Sequence, residues 1–588
     1  MARARAVRPK PAKARFHNTE IADALDEIAD LLELQSANPF RVRAYRNGAR
    51  TVRGLGMEVS EMLVEGRDLS ELPGIGKDLA TKLRCLAETG TVPLLDELHR
   101  EVPAIATELL HLSGLGPKRV RALYEDLEIH SLEQLKRALL DGRVDELPGF
   151  GPKIVASLKE SLAAKAEHPR RFKRAEVRGI VEPLVAYLEA SPGVERVTVA
   201  GSYRRRQETV GDIDILATAE KTKPIMDRFV AYPEVAKVLA EGPTRSTVVL
   251  RSGIQVDIRI VPNESYGAAL HYFTGSKAHN IAVRQMGQKL GYKINEYGVF
   301  KGKRRIAGDT ELSVYKTVDL PYIEPELREN RGEFEAARAG KLPKLVERGD
   351  LRGDLHAHTT ATDGHDSLEA MAKAARERGF EYLAITEHSR RLTMAHGLDP
   401  RRLAQQIEAI DRLNAKGAGV RILKGIEVDI LEDGKLDLPD DILARLDLVV
   451  GAVHSKFSLS REQQTERILK GMRHPYFTIL AHPSGRLIEE RPPYDVDMPR
   501  IIRAARERGS FLELNAHPDR LDLSDVHCRM AKEAGVLVSI ASDAHRASGL
   551  DDLVYGVDQA RRGWLEKRDV LNTRPLAALE KLLAGTRR

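Results

Sequence analysis

Leu383-Ala384-Ile385-Thr386-Glu387-His388 is a short apolar run that ends in an acid and a histidine, and its pattern decides the fold of the carboxy-terminal region. Five further runs end in the same way: Ile422-Leu423 into Glu427, Leu448-Val449-Val450 into His454, Ile479-Leu480 into His482, Phe511-Leu512 into Asn515 and His517, and Val536, Val538 and Ile540 into Asp543 and His545. Helix-like stretches separate the runs. Alternating strands and helices predict a parallel barrel, whose functional groups gather where the strands end.

The strand ends carry a set of metal-binding side chains. The segment Asp354-Leu355-His356-Ala357-His358 and the acid Asp363 precede the first run and add three side chains to the set. The whole set is His356, His358, Asp363, His388, Glu427, His454, His482, Asp543 and His545. A lone histidine is usually a surface or core residue, but nine such side chains at one rim predict a polynuclear metal site for hydrolysis. Cys85 and Cys528 are the only cysteines, which excludes a disulfide framework and a cysteine-based zinc site. Imidazole and carboxylate ligands suit zinc, manganese or iron.

Other polar residues near the rim leave two interpretations open. Arg390, Lys424, Lys456 and Arg486 are close in sequence to the ligands, where they either steer a phosphate or are ordinary surface charge. His396, His474 and His517 lie outside the ligand pattern, and we interpret them as ordinary histidines.

Length and charge bound the class of protein. A chain of 588 residues is too long for one core and predicts about three to five domains. Residues 1–15 contain six cations and no acid, which accounts for the net charge of +6. This tail either attracts phosphate nonspecifically or is merely solvated. The chain lacks an apolar run of roughly 18 residues and an apolar signal core, so we expect no membrane association and a cytoplasmic location.

Changes in sequence texture predict seven segments. They are a basic tail (1–17), a helical domain (18–90), a helix-hairpin-helix domain (91–170), a mixed α/β domain (171–262), a smaller domain (263–323), a polar linker (324–349) and the barrel (350–588).

A glycine motif occurs three times before residue 160. Each copy has two glycines flanking an apolar residue, followed by a lysine and an apolar helix, and the glycines are Gly74 and Gly76, Gly114 and Gly116, and Gly149 and Gly151. The glycines allow a tight turn and leave backbone N–H groups at the positive end of a helix dipole, where they can bind a phosphate without reading a base. The motifs resemble helix-hairpin-helix segments that bind DNA backbones. The alternative is a packing unit, most readily for the middle copy.

Three aspartates predict a second metal site. Asp212 and Asp214 alternate with apolar residues and therefore share one face of a strand, and Asp257 lies in a comparable strand. Carboxylates placed side by side repel one another unless cations lie between them. Upstream, Gly201-Ser202-Tyr203-Arg204-Arg205-Arg206 follows a strand directly and suits a triphosphate.

These motifs resemble the family X DNA polymerases, which are similar to DNA polymerase beta. The matching pattern is Gly-Ser-x-x-Arg, Gly-Asp-x-Asp and Val-Asp-x-Arg, followed by Tyr272-Phe273-Thr274-Gly275-Ser276, His279-Asn280 and Asn295-Glu296-Tyr297-Gly298-Val299-Phe300. The resemblance covers residues 18 to about 320 and implies a nucleotidyltransferase palm and a thumb. One departure is Arg206, which stands where the family usually has glycine; it either tightens phosphate binding or crowds the turn.

The resemblance also implies the roles of individual residues. Asp212, Asp214 and Asp257 would bind two Mg²⁺ or Mn²⁺ ions for in-line displacement. Nucleotide contacts would come from Gly201, Ser202, Arg205, Tyr272, Phe273, Gly275 and Asn280, and a minor-groove contact from Arg284. Lys82 occupies the position of a Schiff-base lysine in the lyase domain of the beta enzyme, although Asp78 replaces a family lysine beside it.

The carboxy-terminal ligand set resembles the polymerase and histidinol phosphatase (PHP) domain, over roughly residues 350–575. That resemblance implies a distorted (β/α)7 barrel that binds up to three ions, Zn²⁺ or Mn²⁺ or both. The implied division is His356, His358, Glu427 and Asp543 around one ion, Glu427, His454 and His482 around the second, and Asp363, His388 and His545 around the third. Glu387 stands where many relatives have aspartate, and we expect little loss from that change.

The sequence therefore predicts a monomeric DNA polymerase that fills short gaps in DNA repair, using dNTPs on gapped or nicked double-stranded DNA. Its PHP domain would be a metal-dependent 3′–5′ exonuclease or 3′-end phosphoesterase. Two alternatives remain open at this point: the PHP domain is a small-molecule phosphatase, or the chain is a DNA end-binding scaffold whose PHP domain is structural and whose palm is inactive.

Overall fold

The computed structural model describes residues 16–35, 37–102, 105–106, 109, 115–151, 154–155, 158 and 171–587. The chain forms two compact units, Met1–Arg170 and Arg171–Arg588, and each is described by itself. Residues 1–15 of the basic tail and Gly114 lie outside the described residues.

The first unit is helical throughout its described part. Its helices are Asn18–Leu34, Pro39–Arg53, Val59–Val64, a short 3₁₀ turn Leu69–Glu71, Lys77–Thr89, Pro93–Glu101, Pro117–Glu125 and Leu132–Leu140. Ile21, Leu25 and Ile28 recur at helical spacing, and all three are buried in the core of this unit. Gly76 and Gly116 each immediately precede a helix, as the hairpin motif predicts.

The second unit begins with a mixed sheet that forms the palm. Its strands are β1 (Phe172–Lys173), β2 (Val194–Val199), β3 (Thr209–Val210), β4 (Asp212–Ala219), β5 (Val235–Ala240), β6 (Arg245–Leu250) and β7 (Gln255–Ile260). The main sheet has the order β2-β4-β7-β6-β5, in which only β4 and β7 are parallel neighbours. Its helices are Arg174–Glu189, Gly201–Arg204 and Thr222–Val230. One face of the sheet packs under these helices, which leaves the aspartates at an open end.

The thumb follows the palm and has its own small core. It contains the helices Tyr266–Thr274, Lys277–Lys289 and Glu311–Lys316, together with the antiparallel strands β8 (Lys293–Asn295), β9 (Gly298–Lys301) and β10 (Arg304–Ala307). The segment predicted as a polar linker is not a solvated connector. It forms the 3₁₀ turn Pro325–Leu327 and the helix Glu333–Arg338, and Leu327, Phe334 and the whole of Arg328 are buried there. Its charged residues pair with other residues of the fold. The composition of the segment alone does not indicate these pairs.

The PHP region alternates parallel strands with helices. Its strands are β11 (Gly353–Asp354), β12 (Tyr382–Ile385), β13 (Arg421–Lys424), β14 (Glu427–Asp429), β15 (Val450–Ala452), β16 (Ile479–Leu480), β17 (Phe511–Asn515) and β18 (Val538–Ala541). Its α-helices are Leu368–Glu377, Pro400–Ala415, Asp440–Leu443, Arg461–Met472, Met498–Arg508, Asp525–Ala534, Leu553–Arg562 and Leu576–Gly585. The 3₁₀ turns are Arg348–Asp350, Thr393–Ala395, Ala547–Asp552, Lys567–Asp569 and Leu571–Thr573.

The pairing of the PHP strands agrees with the predicted distorted barrel. Strands β11-β12-β13 and β14-β15-β16-β17-β18 form two parallel sheets. Isolated parallel bridges join His388 to Glu427 and Ala357 to Ala544, so both edges of the second sheet are linked to the first sheet. All of the predicted ligands follow or begin these strands, because parallel strands bring their carboxyl ends to the same side. In the described part of the chain, no helix combines the length and the apolarity needed to cross a bilayer.

A buried charge cluster joins the palm to the thumb. Arg328 Nη1 lies 2.5 Å from Glu311 Oε1, and Arg204 Nη2 lies 2.7 Å from Glu311 Oε2. Burial raises the pKa of Glu311, but Arg328 and Arg204 outweigh it and bring that pKa down to about 2. The carboxylate therefore stays charged, and it is the anion that keeps the guanidinium of the fully buried Arg328 paired.

We expect Glu311→Ala to lower the free energy of unfolding by about 3–5 kcal/mol, because it leaves two guanidinium groups without their anion in the interior. Denaturant or thermal unfolding monitored by circular dichroism measures the change. Glu335→Ala on the exposed side of the helix Glu333–Arg338 is the matched control. Equal stability of the two variants would contradict the role assigned to this cluster.

Candidate active sites

The three palm aspartates meet at one end of the sheet. In the parallel pairing of β4 with β7, Asp214 is opposite Asp257 and Asp212 is opposite Gln255. A cavity of about 300 Å³ opens there, lined by Asp212, Asp214, Ile215, Arg245, Gln255, Asp257, Arg259 and Phe273. Burial, followed by the charges of Asp212 and Asp257, raises the pKa of Asp214 to about 7. A cation bound among these carboxylates would relieve that repulsion, so the residues fit the predicted metal site.

The carboxylate of Asp257 is oriented by its neighbours. Thr247 donates to Asp257 Oδ1 at 2.6 Å, and Gln255 Nε2 donates to Asp257 Oδ2 at 2.7 Å. Arg245 lies 3.3 Å from Oδ1, and the Arg259 guanidinium lies 4.7 Å from the centre of the Phe273 ring. Sequence reasoning missed Arg245, Thr247 and Gln255. These residues could be found only from their positions on the strands next to Asp257. Those positions are known only once the pairing of β6 with β7 is known.

Gly201 has a steric reason to be glycine. Its φ is +61°, and a Cβ placed on it would lie 2.5 Å from Asp214 Oδ2. The close approach brings the start of the helix Gly201–Arg204, including the half-buried Ser202, next to the Asp214 carboxylate. A phosphate held at this turn would therefore lie beside the aspartates.

The predicted nucleotide residues lie on both sides of this turn. Arg205 Nη1 donates to the Thr274 carbonyl at 2.5 Å, and Asn280 Nδ2 donates to the Tyr272 carbonyl at 2.6 Å. The Tyr272 and Phe273 rings meet edge-to-face with centroids 5.2 Å apart. A Cβ on Gly275 would lie 3.2 Å from Arg205 Nη1, so the thumb and the phosphate-binding turn are in contact. Arg284 is exposed, as a contact to DNA requires.

The described hairpin glycines leave their turns accessible. Gly74 and Gly149 have φ values of +76° and +90°, which favour glycine. A Cβ on Gly76, Gly116, Gly149 or Gly151 would meet no atom within 4 Å, and one on Gly74 would meet only Asn47 Cβ at 3.9 Å. This open space in front of a helix start is what a phosphate contact needs.

Lys82 is held by an acid. Its Nζ lies 2.5 Å from Asp78 Oδ2, one helical turn earlier, and 5.9 Å from the centre of the Tyr45 ring. The Lys82 amine is engaged by this carboxylate and must be released from it to attack a carbonyl carbon. Schiff-base chemistry at this lysine therefore requires the ion pair to open.

The PHP ligands converge on Glu427, which is almost fully buried. Its Oε1 lies 2.9 Å from His482 Nε2 and 3.2 Å from His454 Nε2, and its Oε2 lies 2.7 Å from His388 Nδ1. The nine predicted ligands thus form one connected cluster. Among the described residues, three groups could each hold an ion: His356, His358 and Asp543; His388, Glu427 and His454; and His358, Asp363, His388 and His545.

The spacing of the first group fits a metal ion better than hydrogen bonds. His356 Nε2 lies 3.6 Å from both Glu427 Oε2 and Asp543 Oδ1, and His358 Nε2 lies 3.3 Å from Asp543 Oδ1. Two ligands with bonds of about 2.1 Å to one tetrahedral ion lie about 3.4 Å apart. His356 Nε2 and His358 Nε2 are buried without a hydrogen-bond partner, and a bound cation would provide one.

The charges of the cluster also indicate a cation. Burial lowers the pKa of His388, but Glu427 and Asp363 outweigh it and raise that pKa to about 10. Burial likewise opposes protonation of His454, whose pKa Glu427 and Asp429 raise to about 9. The carboxylates therefore attract positive charge strongly, and metal ions would displace these protons.

Two acids outside the predicted set orient the ligands. Glu513 Oε1 lies 2.6 Å from His356 Nδ1, and Glu513 Oε2 accepts from the backbone N–H of His482 at 2.7 Å. Asp429 lies 3.2 Å from His454 Nδ1. Carboxylates commonly orient the far nitrogen of a metal-binding histidine in this way. The signal for Glu513 is an acid in the middle of the fully buried strand β17, since a buried charge needs a partner.

The remaining polar residues near the rim have different outcomes. Glu387 is buried and accepts hydrogen bonds from the Thr359 and Thr362 hydroxyls, so it orders the loop before Asp363. Arg486 is not surface charge, because it is buried and paired with Glu208 of the palm at 2.7 Å. Arg520, which the sequence reasoning did not single out, lies 3.5 Å from Asp543 Oδ2.

Families of known proteins match successive parts of the chain. They are Helix-hairpin-helix domain (16–92), SAM-like Helix-hairpin-helix tandem (106–164), DNA polymerase beta palm (171–246), DNA polymerase beta thumb (269–329) and PHP domain (354–517). The DNA polymerase/3′-5′ exonuclease PolX of Bacillus subtilis is 38% identical over 572 residues, which are 97% of this chain and 99% of that protein. The chain belongs to the family X DNA polymerases that carry a carboxy-terminal PHP domain.

Shorter relatives match about a third of this family X polymerase. A probable phosphatase of Acetivibrio thermocellus is 34% identical over 33% of the chain and 78% of that protein. A probable phosphatase of Thermoanaerobacter sp. is 30% identical over 37% of the chain and 89% of that protein. The predicted family and domain types are therefore confirmed, and the family implies use of divalent metal ions. The roles of individual site residues stay predictions.

We expect Glu513→Gln to weaken metal binding at the PHP centre roughly 10- to 100-fold, because His356 loses the carboxylate that orients it. Chelator competition followed by metal analysis of the full-length protein measures the affinity. Glu432→Gln, at an exposed position of the same domain, is the control. If Glu513→Gln retains its metal as tightly as the control, Glu513 does not orient the ligands.

Proposed function

We propose that this family X polymerase fills short gaps in DNA at the palm and degrades or repairs 3′ ends at the PHP centre. The observation that carries the proposal is the presence of two complete sets of acidic and imidazole ligands on one chain, whose Bacillus relative is named for both activities. The substrates are gapped or nicked double-stranded DNA and dNTPs. A monomer in the cytoplasm stays our prediction for assembly and location.

At the palm, the chain's own groups bind and orient the reactants. Ser202 and Arg205 hold the β- and γ-phosphates, and Tyr272, Phe273 and Asn280 contact the sugar and the new base pair. Asp257, oriented by Thr247 and Gln255, is placed to accept the proton of the primer 3′-hydroxyl. Mg²⁺ or Mn²⁺ held by Asp212, Asp214 and Asp257 would supply positive charge to the oxygens of an in-line displacement.

At the PHP centre, the candidate ligands form one mostly buried cluster. Glu427 lies between the ligand groups, and Glu513 and Asp429 fix the rings of His356 and His454. Arg520 beside Asp543 is placed to attract a phosphodiester. Up to three ions, Zn²⁺ or Mn²⁺ or both, would acidify water and stabilise charge at phosphorus. Attack of water on the terminal phosphodiester releases a nucleotide; attack on a terminal 3′-phosphate releases inorganic phosphate.

The helix-hairpin-helix segments supply DNA binding without sequence preference. Accessible turns at Gly74, Gly76, Gly116, Gly149 and Gly151 support phosphate contacts, and the family matches for both helical regions support the same role.

A second activity of the PHP centre, removal of a 3′-phosphate, is favoured by its likeness to two probable phosphatases. Release of inorganic phosphate from a 3′-phosphorylated primer tests this activity. Turnover of a small phosphate monoester with no turnover of DNA ends would instead support a small-molecule phosphatase.

We expect Asp214→Ala to lower primer extension on a one-nucleotide gap by a factor of about 10³ or more, because a metal ligand is lost, and to spare 3′-end degradation. His356→Ala should do the reverse, so each variant is the control for the other. Gel analysis of one labelled primer with and without dNTPs measures both reactions. If Asp214→Ala removes degradation as well, the two-site proposal is wrong.

We expect borohydride to trap a covalent adduct between the protein and incised abasic DNA, and Asp78→Ala to increase its yield, because the ammonium of Lys82 loses its counter-ion. Lys82→Ala should abolish the adduct. An adduct of equal yield in the Lys82→Ala protein, or none in the wild type and Asp78→Ala proteins, would contradict lyase activity at this residue.

A further inference from the structure

The palm segment Arg205–Glu208 lies between the nucleotide site and the PHP region. Arg205 belongs to the phosphate-binding turn, and each of its neighbours reaches a different partner outside the palm. Charged residues of the PHP helix Leu553–Arg562 contact this segment along its length, and so does Arg486 from the loop behind the ligand His482.

Arg206 has a backbone that favours glycine. Its φ is +56°, in the left-handed region that residues with a Cβ rarely adopt. Related polymerases usually have glycine at this position. We therefore expect the contacts of the Arg206 side chain to offset the energetic cost of the left-handed backbone. That side chain neither binds the nucleotide pocket nor crowds the turn. It pairs with Asp558 of the PHP helix, and its Nε lies 2.8 Å from Glu326 Oε1 of the thumb.

The partners of Arg206 are themselves tied to both sides of the interface. Asp558 is also 3.1 Å from Arg174 of the palm, and Glu326 is 2.7 Å from Arg561 of the PHP helix. Both acids are nearly inaccessible to solvent, so their pairing is only weakly screened.

Arg205 is linked to the PHP region through an acid and through its own backbone. Its Nε lies 3.1 Å from Glu329 Oε1, and Arg562 Nη1 lies 3.1 Å from the same oxygen. Arg562 also donates to the Arg205 carbonyl at 3.0 Å. A PHP side chain therefore contacts both the backbone of Arg205 and the carboxylate that orients its guanidinium.

Glu208 closes the segment on the other side. Arg486 binds its carboxylate with two nitrogens, at 2.7 and 3.2 Å, and Arg486 Nε donates to the Arg520 carbonyl at 2.9 Å. The four-residue segment is thus anchored at both ends to the PHP region, and its second anchor belongs to the loops that flank the metal ligands.

We propose that the PHP region completes the nucleotide site of the palm: Asp558, Arg562 and Arg486 position the segment Arg205–Glu208, so that Arg205 faces the triphosphate. The proposal rests on the proposed polymerase activity. These PHP residues are positioning residues, because they act through Arg205 and touch no substrate. Loss of an anchor weakens nucleotide binding in the ground state and the transition state alike, which raises KM and leaves kcat nearly unchanged.

The test is the steady-state kinetics of single-nucleotide gap filling by the full-length protein. We expect Asp558→Asn to raise KM for the dNTP about fivefold or more, with kcat within about twofold and 3′-end degradation unchanged. Arg206→Gly should have the same effect, although glycine suits the backbone better. Arg206→Lys keeps a cation near the two acids and should lie between wild type and Arg206→Gly.

Asp551→Asn is the matched control. Asp551 is close to Asp558 in sequence, but it pairs with Arg378 inside the PHP region at 2.7 Å, so its KM should match the wild type. Unchanged KM in both Asp558→Asn and Arg206→Gly, even with lowered thermal stability, would overturn the proposal. The contacts would then stabilise the fold without positioning Arg205. If Asp558→Asn loses both activities, the KM values of Arg206→Lys and Arg206→Gly are compared instead. Equal KM values for these two variants overturn the proposal. A wild-type protein that extends no primer contradicts the polymerase activity itself.

Discussion

A single buried guanidinium, that of Arg562, joins three parts of the second unit. Its side chain is 3% exposed and lies between Glu329 of the thumb and Asp525 of the PHP region, 3.1 and 2.8 Å away. A buried cation is strongly destabilising unless its partners stay in place. Palm, thumb and PHP region must therefore fold against one another for this charge to be paired. This requirement contributes to the packing of the three parts within the compact unit 171–588.

The same electrostatic constraint organises each active site. In the PHP centre, the Glu427 carboxylate lies among several histidines, and its pKa falls well below the usual range because their positive charge outweighs the effect of burial. In the palm, three carboxylates have too little positive charge near them, and the pKa of Asp214 rises. The palm arrangement is unfavourable without a cation, whereas in the PHP cluster metal ions would take the place of protons on the histidines.

The contacts between the palm and the PHP region give a physical reason for the two regions to occur together on one chain. A polymerase that makes errors or meets a blocked 3′ end benefits from a hydrolytic centre held in a fixed relation to its palm. The palm segment Arg205–Glu208 contacts Arg562 and Arg486 of the PHP region, so the two regions are directly linked next to the palm site. Arg206, with its left-handed backbone, is the clearest sign that this contact matters to the fold.

Short-range periodicity and local motifs in the sequence predict the family, the strand ends with nine candidate ligands, the palm aspartates and the glycine hairpins. The tertiary structure is needed to show which acids contact the candidate ligands and where Arg206 points. His356 and Glu513 are 157 positions apart, and Arg206 and Asp558 are 352 positions apart. It also decided that the apparent linker is buried around Arg328. Such partners depend on how whole elements pack, and no local pattern encodes that packing.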